Sequence, residues 1–121
     1  MSESQSLGQK GENIASDYLA GKGYRILHRN WKSGKKEVDI VAENSDNIVF
    51  VEVKTRSWDM KLHPADLVPH DKQRLLLYAA DSYIRKYNIN KESRFDVIII
   101  IFTSNSYEVD HREGAFYPTL R

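Results

Sequence analysis

The sequence predicts an α/β sandwich built around a central mixed β-sheet, in the order helix, three strands, helix, then one or two strands. Three observations predict it. Apolar residues recur at helical spacing over residues 6–22 and again over 71–87. Runs rich in Val, Ile and Phe at residues 37–43, 48–55 and 95–103 have strand composition, and residues 24–31 read as a further strand. The two kinds of segment interleave along the chain, the pattern of helices layered on a sheet.

The first helix carries Leu7, Ile14, Ala15, Tyr18 and Leu19 on one face. Ser6 with Gln9 three residues later has capping-box form, and Gly21 or Gly23 is suited to end the helix. Gly8 and Gly11 each cost a helix about 0.8–1 kcal/mol relative to Ala. Either they let another backbone pack close to Glu12 or they fray the first turn. Residues 24–31 form a strand, and Ser33-Gly34-Lys35-Lys36 turns it into the next. Asn44-Ser45-Asp46-Asn47 has turn composition, so 37–43 and 48–55 form a hairpin. Residues 57–69 keep neither period and read as a long loop directly after Lys54; long loops beside a site are often functional. The second helix turns Leu76, Ala79, Ala80, Tyr83 and Tyr87 inward, with Asp71 as N-cap or first-turn acid. Residues 95–103, apolar on both faces from Val97 onward, read as a central strand. A short strand at 107–111 finishes the sheet.

At 121 residues the chain is one domain, 1–121, with 40% hydrophobic and 29% charged residues, ordinary for a soluble protein. It has no cysteine, which excludes disulfides and thiolate metal sites and suits a reducing cytoplasm. The first residues lack a signal peptide's basic start and apolar stretch, and the longest apolar run, 97–102, is too short for a bilayer. The expectation is a cytoplasmic protein with no membrane partner. Net charge is only +1, but Lys22, Arg25, Arg29, Lys32, Lys35 and Lys36, with His28, fall in one stretch without an acid. That stretch reads as a phosphate-backbone contact surface, or as ordinary solvated lysines.

Within the hairpin three ionisable residues, Asp39, Glu52 and Lys54, interrupt apolar strands. Charges are seldom buried unless paired or bound to metal. Centring the turn between Ser45 and Asp46 pairs positions whose numbers sum to 91. One side is then wholly apolar: Val38/Val53, Ile40/Val51 and Ala42/Val49. The other sets Glu37 against Lys54, Asp39 against Glu52 and Val41 against Phe50. A one-residue slip would mix the two sets, so this register, or one shifted by two, is favoured. Opposed side chains have Cβ atoms about 4.5–5.5 Å apart, and like charges there destabilise a sheet. A Mg²⁺ ion, with oxygen ligands at about 2.0–2.1 Å, would remove the repulsion between Asp39 and Glu52. The competing reading is a solvated face with a Glu37–Lys54 cross-strand pair.

The residues as ordered resemble the PD-(D/E)XK nuclease superfamily, with its restriction-endonuclease-like fold. Within it the chain resembles the bacterial UPF0102, or YraN, family, through Gly8-x-x-Gly11-Glu12-x-x-Ala15, Tyr18-Leu19, Gly23-Tyr24, Arg29-Asn30-Trp31, residues 37–42 and 50–56, and Arg94-Phe95-Asp96-Val97. Archaeal Holliday-junction resolvases are similar in size and element order. The resemblance implies that Asp39 and Glu52 bind Mg²⁺ or Mn²⁺, with the carbonyl of Val53 as a further ligand and Glu12 as the extra acid of the first helix. It implies that Lys54 orients and helps deprotonate the attacking water, and more loosely that Lys72 or Gln73 adds a polar group. Val38 replaces the proline of the superfamily's name, at a position that varies widely.

The expected function is therefore metal-dependent hydrolysis of phosphodiester bonds in nucleic acid, most naturally structure-selective cleavage of branched, junction or single-stranded DNA. Asp39, Glu52, Lys54 and Glu12 would form the catalytic set. Arg29, Lys32, Lys35, Lys36, Arg56 and Lys72 would contact the nucleic acid. Trp31 and Trp58 read either as base-stacking or as packing residues. Two-fold DNA substrates suit a homodimer. The four histidines (His28, His63, His70, His111) show no ligand spacing, and His111 with Asp110 and Glu113 reads as edge-strand surface. The alternatives are a non-catalytic nucleic-acid-binding module with the same fold, or a structural partner of a larger nucleic-acid enzyme.

Overall fold

The computed structural model describes residues 6–58 and 68–116, with His70 as backbone only. Its elements are α1 (Leu7–Gly21), β1 (Arg25–Ser33), β2 (Lys36–Glu43), β3 (Asn47–Ser57), α2 (His70–Tyr87), β4 (Glu92–Phe102) and β5 (Tyr107–Phe116). The five strands form one sheet in the order β1-β2-β3-β4-β5. Only β3 and β4 run parallel, joined through α2; the other pairs are antiparallel. One helix covers each face. Ala15 and Leu19 of α1 pack on Ile40, Ala42, Val49, Val51, Ile98 and Ile100. On the other face Leu76, Ala79, Ala80 and Tyr83 of α2 pack on Val38, Val41, Ile48, Phe50, Val97 and Ile99. The fold is the expected α/β/α sandwich with restriction-endonuclease-like element order.

Local chemistry explains the boundaries. Ser6 Oγ accepts from Gln9 N at 3.1 Å, but the reciprocal half of the capping box is not made, because the Gln9 side chain turns to Asn13 Oδ1. Gly23, at φ +94°, closes α1 with bonds from Gly23 N to Ala20 O and from Tyr24 N to Leu19 O, a Schellman ending. The β1–β2 loop shrinks to Gly34-Lys35, with Gly34 at φ +59°. Asn44 Oδ1 accepts from Asp46 N and Asn47 N, pinning the β2–β3 turn where its composition placed it.

β4 is an interior strand buried on both faces, as expected, between β3 and β5. Other expectations are corrected. β5 extends to Phe116, because Gly114 at φ +56° and a register shift carry it past His111. Leu7, at the start of α1, is exposed, and Tyr87, at the end of α2, is only partly covered, although its ring meets His28 of β1 and Tyr83. Of the two readings of Asp71 the first-turn acid holds, the N-cap position being taken by Pro69. Of the long-loop expectation, residues 59–67, including His63 and Asp66, lie outside the described residues. No helix among the described residues is long and apolar enough to cross a membrane.

Candidate active site

The β2–β3 register sums to 91 as expected, through Glu43–Ile48, Ala42–Val49, Val41–Phe50 and Ile40–Val51. There the ladder stops. The next rung, Asp39 with Glu52, is not formed. Instead Asp39 Oδ2 accepts from Val53 N at 2.8 Å, so a carboxylate takes the place of a backbone partner. Within an extended strand the N–H and C=O of one residue leave from the same edge. The carbonyl of Val53 therefore opens into the same gap.

Strand alternation also breaks at this level, in β1 and β2 together. Val41 and Val38, three apart, both pack on the α2 face, with Ile40 on the α1 face between them. Their cross-strand partners His28 and Trp31 both meet Tyr83 of α2, while Arg29, opposite Ile40, reaches Asn13 of α1. The apolar side predicted to include Val38 is thus interrupted. The break falls between the Arg29–Ile40 and Trp31–Val38 pairs, where Asn30 and Asp39 do not pair, and Asn30 has a left-handed backbone at φ 54°.

Glu52 points to the α2 face, where three ammonium groups converge on it. Lys72 Nζ lies 2.8 Å from Oε2, Lys54 Nζ 3.5 Å from Oε2 and Lys36 Nζ 3.5 Å from Oε1. Glu52 is buried, which explains why it gathers so much positive charge. Burial, followed by the charge of Glu52 and more weakly that of Glu12, pushes the Asp39 carboxyl up to about 7, although the Val53 N–H opposes the shift. Burial holds Lys54 below its ordinary value, with Lys72 pushing the same way and Glu52 opposing. On Lys72 burial works against the charge, but the bond to Glu52 prevails and raises it. The expected Glu37–Lys54 pair is replaced: Lys54 turns to Glu52 on its own strand, and Glu37 turns to Asn30.

Glu12 reaches this level because α1 lies close on the sheet. Gly11 is buried, and a Cβ there would collide with Thr55 Oγ1 of β3. Gly8 has no such neighbour, its nearest contact being Ser6 Oγ at 3.9 Å. Glu12 Oε1 lies 3.9 Å from Arg29 Nη2 and accepts from the Asn30 amide.

The basic residues divide. Lys32 and Lys35 stay exposed and, with Gly34, Lys36 and Glu37, line a hollow of about 240 Å³ at the β1–β2 turn. Lys36 and Lys72 belong to the Glu52 cluster, Arg29 ties β1 to Asn13 and Glu12, and Arg56 donates to the carbonyl of Thr55. Trp31 packs against Tyr83, whereas Trp58 is 69% exposed beside the end of β4.

Residues 11–100 match the model of the uncharacterised protein family UPF0102. A UPF0102 protein of Phocaeicola vulgatus is 41% identical over 120 residues, covering 99% of each chain. One from Bacteroides thetaiotaomicron is 42% identical with the same coverage. One from Porphyromonas gingivalis is 41% identical, covering all of this chain and 91% of its own. The chain belongs to the UPF0102 family.

In this UPF0102 chain the donors suited to a hard divalent ion are the carboxylates of Asp39 and Glu52 and the carbonyl of Val53, with Glu12 alongside. The donor types fit such an ion, and Glu52 already gathers three ammonium groups. Among the described residues no three His, Cys, Asp or Glu side chains form a ready-made cage. Glu52 is turned toward lysines and Glu12 toward Asn30.

A second polar cluster escaped the sequence reading. Asp96, fully buried on β4, accepts two bonds from Arg94 at 2.8–2.9 Å and one from Gly114 N at 3.1 Å. His111 Nε2 lies 2.7 Å from its Oδ2, His111 Nδ1 is 3.2 Å from the Tyr18 hydroxyl, and Arg94 donates to Tyr24. His111, expected on the surface, has a side chain only 5% exposed because α1 covers it. Arg94 and Asp96, two apart on one strand and so on one face, were the available signal. The network ties β5 and α1 to β4 and does not reach the carboxylate gap.

Proposed function

We propose that this UPF0102 chain is a Mg²⁺- or Mn²⁺-dependent nuclease that hydrolyses phosphodiester bonds in nucleic acid, with structure-selective action on DNA. One observation carries the reading: the β2–β3 ladder opens at Asp39 and Glu52, with a lysine on the same strand. Asp39, Glu52, the Val53 carbonyl and Glu12 would hold the metal. When bound, the metal lowers the pKa of a water and offsets charge growing on the phosphate oxygens. Lys54, two residues from Glu52 on the same strand face, holds the water or a phosphate oxygen, and its lowered pKa suits it to share a proton. The water oxygen bonds to phosphorus, the ester oxygen leaves, and the products carry a 5′-phosphate and a 3′-hydroxyl. Lys32 and Lys35 offer charge to neighbouring phosphates.

The test is cleavage of labelled single-stranded, duplex, flap and four-way-junction DNA, and of RNA, with Mn²⁺ or Mg²⁺. The expected result is cutting by the wild type that Lys54→Ala and Asp39→Ala both abolish, with the fold intact by circular dichroism. Activity unchanged in Lys54→Ala would sink its role. The saturation of Glu52 by three lysines favours a second reading, a module that binds nucleic acid without cutting it. Junction or single-strand binding with no cleavage of any substrate would select that reading.

A further inference from the structure

Asn30 has the wrong backbone for a strand and an unusual pair of neighbours. It is a non-glycine residue at φ 54° in the middle of β1, in the interval between the pairs Arg29–Ile40 and Trp31–Val38. Left-handed backbone is rare outside glycine, and Asn is among the few residues that adopt it routinely. Its amide nitrogen, oriented by the acceptors around it, donates to Glu37 Oε2 at 2.6 Å and to Glu12 Oε1 at 3.1 Å. One uncharged donor thus brings together a carboxylate from β2 and another from α1, two groups that would otherwise repel. On β2 the same interval, between Ile40 and Val38, holds Asp39, at the point where both strands lose their alternation.

We infer that Asn30 is the positioning residue of the carboxylate site. Its left-handed turn breaks the alternation of β1 and β2 at the level of Asp39, between the pairs Arg29–Ile40 and Trp31–Val38, which leaves that side chain in the β2–β3 gap. Its amide fixes Glu12 beside the gap, so that the acid from α1 is in place when a divalent ion arrives. Arg29, 3.9 Å from the same Glu12 oxygen and bonded to Asn13, braces the helix from the neighbouring position. The inference rests on the proposed metal site and deepens it, since it names what assembles that site from separate elements. Residues that orient metal ligands without touching the metal typically contribute about 10–100-fold in affinity.

The experiment compares wild type, Asn30→Gly, Glu12→Ala and the double variant by Mn²⁺ calorimetry and thermal melting. Glycine keeps the left-handed backbone and deletes only the amide, so Asn30→Gly is expected to melt within about 5 °C of wild type. It should bind Mn²⁺ about tenfold more weakly. The double variant should bind no more weakly than Glu12→Ala, because both changes remove one interaction. Wild-type affinity in Asn30→Gly, or losses that multiply in the double variant, would overturn the inference. A metal-free crystal structure of Asn30→Gly reads the positioning directly: Glu12 and Glu37 should separate, and their staying in place would equally overturn it. If the wild type takes up no Mn²⁺, the metal reading falls, and that crystal structure still decides the role of Asn30.

Discussion

In an unfolded chain the carboxyl of Asp39 titrates near 3.8; between β2 and β3, burial and Glu52 push it up to about 7. Between those values the folded protein holds a proton that the unfolded chain does not. Stability contributed by this group is therefore full below about pH 4 and falls as pH rises through 7. Asp39→Asn removes the titration, so its melting temperature should hold steady from pH 5 to 8 while that of the metal-free wild type declines. Parallel melting curves for the two proteins would refute the assignment. Most of this residue was legible beforehand: an aspartate in an apolar strand, thirteen positions from a Glu-x-Lys, is a chemical anomaly in any register. Illegible was the direction of its side chain. Strict alternation placed it opposite Glu52, and only the left-handed Asn30 across the strand turns it toward Val53 N.

At the level of elements, α1 is set by the absence of one side chain. Gly11 lies where a Cβ would meet Thr55 Oγ1, and Ile100 Cβ is 3.8 Å from the same point. Gly11→Ala should destabilise by about 1–3 kcal/mol despite alanine's better helix propensity, measured by urea unfolding. Adding Thr55→Ala should recover most of the loss; no recovery would mean the helix is held elsewhere. β5 is fastened by a different device. Asp96 has no exposed side-chain surface, and Arg94 is its bidentate partner. Arg94→Ala should cost about 3–5 kcal/mol in the same assay, because it leaves a buried carboxylate short of its partner. A loss under about 1 kcal/mol would show that His111 and Gly114 N suffice. Composition marked Gly8 and Gly11 in the first turns of α1 as suspect, yet only the approach of β3 distinguishes Gly11 from Gly8.

For the whole molecule, the site is a seam where four elements meet. β2 and β3 part between Asp39 and Glu52, α1 brings Glu12, and α2 brings Lys72 to within 2.8 Å of Glu52. A ligand that binds only the folded state stabilises it, by about 2.7 kcal/mol at a hundred times its dissociation constant. Mn²⁺ at pH 8 should therefore raise the melting temperature of the wild type by several degrees and leave Asp39→Asn unmoved. An equal shift in both proteins would locate the metal elsewhere.

The α/β class, the element order, the hairpin register and its turn followed from local chemistry: alternation, turn residues and capping signals act within a few positions of one another. So did the anomaly of Asp39, Glu52 and Lys54, since charge in an apolar strand is a property of that strand. The partners of those charges were decided in three dimensions. Lys72 and Glu12 come from two other elements and Lys36 from the far end of β2, Asn30 matters through a backbone angle that its neighbours do not announce, and His111 is interior only because α1 lies over it. Contacts between residues far apart in sequence depend on how the layers dock, and docking is settled by the packed core as a whole.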